Sequence, residues 1–156
     1  KYLVTSVEDP ENLEARGGML VGSCLAGISF LKGLGFVHAI SHMVGAEYDT
    51  QHGLTNAIVL PVVLRCNLPS LDEKRNNMAD ALGMSDKTSD GFIGEIEAKL
   101  DRLNIPKSLG EIGVPFECAS RISEKAMLDS AASTNPIRGD VALVKELVEK
   151  SIKKTR

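Results

Sequence analysis

Apolar residues along this chain recur every three or four positions, the period of a helix with one buried face. From Asp9 to Gly33 the positions Leu13, Leu20, Cys24, Ile28 and Leu31 keep that rhythm. Asp9 is placed to cap the segment, with Pro10 as its first helical residue and Glu11 in its first turn. Gly17, Gly18, Gly22 and Gly27 interrupt the same stretch, and each costs an isolated helix about 1 kcal/mol relative to Ala. Such a helix is expected to lie buried between close neighbours, with Gly33 and Gly35 ending it. "FVHAISHMVGA" predicts a short helix stopped by Gly45. "GLTNAIVLPVVLRCN" predicts a buried helix that Pro61 kinks, freeing one carbonyl. An internal Pro argues against a central strand over "AIVLPVVL".

Three amphipathic segments follow: "SLDEKRNNMADALG", "SDGFIGEIEAKLDRLN" and "PFECASRISEKAMLDSAA". "SLDE", Ser70 to Glu73, has the form of a capping box, and Gly83 is a natural stop. "NPI" enforces an extended residue at Asn135 and a clean break. The last predicted helix, "GDVALVKELVEKSIKK", carries Val141, Val144, Leu147, Val148 and Ile152 on one stripe. The pattern predicts an all-α bundle of about seven helices with short connections, one helical domain over residues 1–156.

Composition narrows the function. With 43% hydrophobic and 25% charged residues, the chain has the make-up of a soluble globular protein. No apolar run approaches the roughly 18 residues needed to cross a bilayer, and "KYLVTSVEDP" lacks the apolar core of a signal peptide. A net charge of −3 with interspersed signs argues against a nucleic-acid or membrane surface. The absence of Trp removes stacking platforms for single strands. The basic closing run "KSIKKTR" complements a helix dipole. Cys24, Cys66 and Cys118 have no CxxC spacing, so buried free thiols in a reducing cytoplasm are expected. A zinc site built from them is the weaker reading.

The chemistry concentrates in "HAISHMVGAEYDTQH", which holds all three histidines, His38, His42 and His52. His38 and His42 are four apart and share a helix face. HExxH helices offer two imidazoles to zinc at that spacing, but Ala39 stands where their general-base Glu would be. His52 follows a turn, so a helical hairpin could return it to the first two. Imidazole suits zinc and ferrous iron, but spacing alone leaves open which rings would share an ion. Ser41 and Cys66 sit on no nucleophile elbow, and no phosphate-binding glycine motif occurs. Asn56 and Asp49 are within reach of the histidines, though capping or turn roles suit them better. Met19, Met43, Met78, Met84 and Met127 are expected as core fillers. Phe30 and Phe36 belong to the core or to a pocket wall.

From Gly33 to Asn67, "GLGFVHAISHMVGAEYDTQHGLTNAIVLPVVLRCN" resembles the signature of the iron-containing (group III) alcohol dehydrogenases. That pattern fixes three histidines, a Gly-Ala pair, a His-Gly, an Asn-Ala-Ile and a Pro at set spacing, and all are matched here. "DPENLEARGGMLVGSCLAG" and "DSAASTNPI" are more loosely similar to flanking family segments. The resemblance implies the dehydroquinate synthase-like C-terminal helical domain, without the N-terminal α/β nucleotide-binding domain. It implies an enzyme that oxidises alcohols, or reduces aldehydes and ketones, with NAD or NADP and one Fe2+ (or Zn2+). His38 and His52 would be metal ligands. His42 would be catalytic, assisting proton movement or substrate orientation. The dinucleotide would be held mainly by the N-terminal domain, so no cofactor-binding residue is assigned in this chain. The family's further Asp and His ligands have no counterpart here, which leads us to expect a C-terminal fragment of a two-domain enzyme, inactive alone. The expected partners are a small alcohol or aldehyde and copies of the chain itself, with neither nucleic acid nor membrane. A glycerol dehydrogenase or maleylacetate reductase domain, or a helical metal-binding or scaffold module without catalysis, is the alternative.

Overall fold

Every segment with a helical period folds as helix in the computed structural model, which describes residues 1–153. The elements are α1 (Leu3–Glu8), α2 (Leu13–Ser29), α3 (Gly35–Tyr48), α4 (His52–Asn67), α5 (Asp72–Leu82), α6 (Ser89–Arg102), α7 (Ala119–Leu128) and α8 (Val141–Ile152). No strand occurs among the described residues. The expected all-α bundle is present, and the helix beyond seven is α1, whose six residues are too few to show a period. Lys154, Thr155 and Arg156, the end of the basic run and of the last predicted helix, lie outside the described residues. No single described helix is long and apolar enough to cross a membrane. The chain divides into two compact units, Lys1–Gly33 and Leu34–Arg156.

In the first unit the cap of α2 is Asn12 and not Asp9. The Asn12 backbone is extended and its side chain accepts from the Ala15 N–H at 3.0 Å. Asp9 instead ends α1, leaving Pro10 and Glu11 in the turn between the helices. The Tyr2 ring lies on Gly18 so closely that a methyl group there would come within 2.1 Å of it. The other glycines of α2 meet nothing: a methyl at Gly17, Gly22 or Gly27 has no neighbour within 4 Å. Only Ala15 of α2 is buried, and Leu20 is 74% exposed. The expectation of a buried glycine helix is therefore corrected, and Cys24 is an exposed thiol.

The second unit has a continuous core. Phe36, Ile40 and Val44 of α3 pack with Ile58, Val59 and Val63 of α4, Ile122 of α7, and Val144 and Val148 of α8. Burying each such side chain contributes about 1.5–3 kcal/mol. A smaller cluster of Leu68, Ala79, Phe92 and Ile93 covers α5 and α6. Four of the five stripe residues of α8 are buried, while Val141 is exposed. Cys118 is buried and Cys66 half-buried, and burial pushes both thiols up from their ordinary value. None of the methionines is fully buried: Met43 and Met127 edge the main core, Met84 edges the smaller one, and Met78 is exposed. Phe36 is core, whereas Phe30 is exposed.

Three local expectations change here. α3 passes through Gly45 and ends at Tyr48, because Asp49 takes the left-handed conformation (φ 52°) that closes a helix. The Ser70–Glu73 box does not form, since Ser70 belongs to a 3-10 turn and Leu71 precedes α5 without a side-chain cap. The helix predicted over residues 115–132 breaks at Asp129, which is extended and caps a new 3-10 turn, Ser130–Thr134. Gly83 closes α5 as expected (φ 70°), and α4 continues through Pro61.

The turn after Asp129 fastens the start of α3. Thr134 Oγ1 accepts from the Leu34 and Gly35 N–H groups, and Asn135 Oδ1 accepts from Phe36 N–H at 3.1 Å. These are N–H groups that a helix start cannot satisfy for itself. Asn135, extended as predicted, also exchanges side-chain hydrogen bonds with Asn67 at the end of α4, at 3.1 and 2.9 Å. Gly35 has φ 72°, and a side chain on it would begin 3.0 Å from Asn135 Oδ1. Only glycine suits that position.

Candidate metal centre

Helices α3 and α4 form a hairpin closed by Asp49, Thr50 and Gln51. The Gln51 side chain caps α4 by accepting from Leu54 N–H, and Thr55 Oγ1 donates to Thr50 Oγ1 at 2.8 Å. This fixes His52 as the first residue of α4, opposite the His38 and His42 face of α3. The three rings form a near-equilateral group, with centroids 5.3 Å (His38–His52), 5.4 Å (His42–His52) and 5.8 Å (His38–His42) apart.

Hydrogen bonding gives two of these rings one task and the third another. The Asn56 amide nitrogen lies 3.3 Å from His38 Nε2 and 3.0 Å from His52 Nε2. An amide nitrogen only donates, so both Nε2 atoms are acceptors and both rings carry their proton on Nδ1. The buried Ser41 hydroxyl lies 3.5 Å from His52 Nδ1 and itself donates to the His38 carbonyl. Two Nε2 lone pairs therefore converge on one point, now held by an N–H donor. Asn56 Oδ1 is left buried without a hydrogen-bond partner, at a cost of about 1–3 kcal/mol. Burial, then the neighbouring His52 and His42, push His38 below its ordinary value and favour the neutral ring that metals bind.

His42 faces elsewhere. Its Nδ1 lies 3.0 Å from Asp129 Oδ2, and its side chain is 36% exposed. Burial alone would raise the Asp129 carboxyl, but hydrogen bonds from Ala131 N–H and His42 hold it below the usual carboxylate range. A cavity of about 460 Å³ adjoins Asp129, lined also by Ser130, Ser133 and Arg138.

The donor set fits one side of a divalent cation's shell: two neutral imidazoles sharing a focus, with an orphaned amide oxygen beside it. Among the described residues no group of three or more His, Cys, Asp or Glu side chains is placed to hold an ion. All three sequence-predicted histidines come together. Asn56, given a capping role from the sequence, lies between two rings, while Asp49 does have the turn role expected of it. Asp129 was missed by sequence reasoning. It lies 87 positions from His42, inside a segment whose helical period concealed the break, and its only local signal is an Asp ahead of small residues.

Residues 1–152 match the model of the Fe-containing alcohol dehydrogenase family, C-terminal. Alcohol dehydrogenase 4 of Saccharomyces cerevisiae is 34% identical over 97% of this chain and 40% of its own length. The 1,3-propanediol dehydrogenase of Citrobacter freundii is 34% identical over 87% of the chain and 37% of its own. Among solved structures, a 1,3-propanediol oxidoreductase superposes with a TM-score of 0.92 at 31% identity, over 97% of this chain and 41% of that one. The chain thus spans about two fifths of the length of the curated relatives it matches.

Proposed function

This chain belongs to the Fe-containing alcohol dehydrogenase family, as its C-terminal part, and on that premise we propose that it is the metal-binding half of an NAD(P)-dependent alcohol dehydrogenase. The substrate is a small alcohol or the matching aldehyde. The observation that carries this reading is the convergence of His38 Nε2 and His52 Nε2 on one amide nitrogen, at 3.3 and 3.0 Å. These two rings would hold Fe2+ or Zn2+, which when bound supplies Lewis acidity toward an alcohol oxygen. Asn56, whose amide nitrogen now faces both Nε2 atoms, would have to yield them to the ion. Ser41 beside His52 Nδ1 would keep that ring in the Nδ1–H form, so that its Nε2 stays available.

His42 would accept the substrate hydroxyl proton at Nε2; an oxidised nicotinamide, when bound, would supply the hydride acceptor. The dinucleotide is held mainly by residues outside this chain. The stacking of His42 on His52, with 16° between planes, keeps the proton acceptor beside the ligand rings. The exposed apolar face of α2, with Leu20, Val21, Leu25 and Ile28, supports self-association. A cytoplasmic location belongs to the same proposal.

With Fe2+ or Zn2+, NAD and a short primary alcohol, the chain alone is expected to turn over at background. Joined to the N-terminal part of a relative, it should transfer hydride. In that assembly His42→Ala should slow turnover by about 10²-fold or more, the scale of a lost general base, with metal content unchanged. Turnover that survives replacement of both His38 and His52 overturns the reading. The limited donor set favours one second reading, a metal-responsive helical module without catalysis, which undiminished metal binding with no turnover in the joined protein would support.

A further inference from the structure

We propose that Asp129 is a positioning residue that decides which nitrogen of His42 is free to take a proton, an inference that rests on the reading of His42 as proton acceptor. The carboxylate is doubly anchored. Oδ2 meets His42 Nδ1 at 3.0 Å, and Oδ1 accepts from Ala131 N–H at 2.8 Å. The Asp129 side chain is only 15% exposed. The turn it caps is fastened to the start of α3 through Thr134 and Asn135, so carboxylate and imidazole are held by one framework.

An ionised carboxylate has no proton to donate. The shared hydrogen therefore belongs to His42 Nδ1, and the lone pair of the neutral ring belongs to Nε2. The carboxylate also fixes the orientation of the ring, as in the Asp–His pairs of hydrolytic triads. Capping of the 3-10 turn is the rival role for Asp129, and it needs only the Ala131 hydrogen bond.

Asp129→Asn separates the two roles. The amide oxygen can keep the Ala131 N–H, which leaves the amide nitrogen, a donor, facing His42 Nδ1. That geometry moves the ring proton to Nε2. The test is a long-range 15N–1H correlation spectrum of the metal-free chain labelled on histidine nitrogen, recorded at alkaline pH. In the unsubstituted protein His42 is expected to carry its proton on Nδ1, with Nε2 bare. In Asp129→Asn the proton should shift to Nε2, with the His38 and His52 patterns unchanged. A His42 proton on Nε2 in the unsubstituted protein overturns the proposal, whether or not the variant folds, and so does a folded variant with an unshifted pattern. Zinc titration separates this from the metal reading. An Nδ1–H His42 in a chain that binds no zinc supports the Asp129 role and sinks the metal centre, whereas an Nε2–H His42 beside normal zinc binding does the reverse.

Discussion

Helices α2 and α3 are both long, glycine-bearing and apolar, and they meet opposite fates. α3 buries six of its fourteen residues, whereas α2 buries one of its seventeen. The difference lies in what holds each helix. Thr134 and Asn135 satisfy the first N–H groups of α3. Near its other end, Glu47 receives Arg121 and Lys125 from α7 at 2.8 and 2.7 Å. Within its own unit α2 has only α1, with Tyr2 pressed on Gly18. Periodicity reports that a face is apolar, but what covers that face is decided by contacts made far along the chain.

The contrast predicts a graded series. Phe36→Ala, at a position 1% exposed, should cost about 3–5 kcal/mol of stability in urea titrations. Glu47 comes next. Hydrogen bonds from Arg121 and then Lys125 hold its carboxyl below its ordinary value of 4.5. A depressed folded value gives stability that is full above the unfolded value and is lost as pH falls through the folded one. Glu47→Gln should therefore weaken the protein at neutral pH and match it once the pH is below the carboxylate range. A constant gap across that range would show that the ion pairs are not the cause. Leu20→Ala should change stability least, within about 0.5 kcal/mol. A loss there as large as at Phe36 would mean that the α2 face is covered in solution.

Legibility in the sequence follows the same divide between local pattern and distant contact. The helices of the second unit were legible, because each carries an apolar stripe, but of their ends only some were, such as Gly83 after α5. The histidine group was as well, since all three rings lie within one hairpin. The cap at Asn12 was not, because Asp9 and Pro10 offer an equally good local signal three residues earlier. Asp129 was hidden in "EKAMLDSAA", where a helical period continues through a break that only the Ala131 and His42 hydrogen bonds reveal. The role of Asn56 depends on two rings 18 and 4 positions away meeting at its amide, a geometry that no local pattern encodes.

Zinc titration of the unsubstituted chain and of His38→Ala, His42→Ala and His52→Ala tests the shared focus of two rings most directly. One zinc should bind, and the His38 and His52 variants should each lose more than the about 10–100-fold that removal of a ligand's supporting partner costs. His42→Ala should stay within about tenfold of the parent on the same scale. Zinc binding abolished by His42→Ala, or retained in full by His52→Ala, would contradict it.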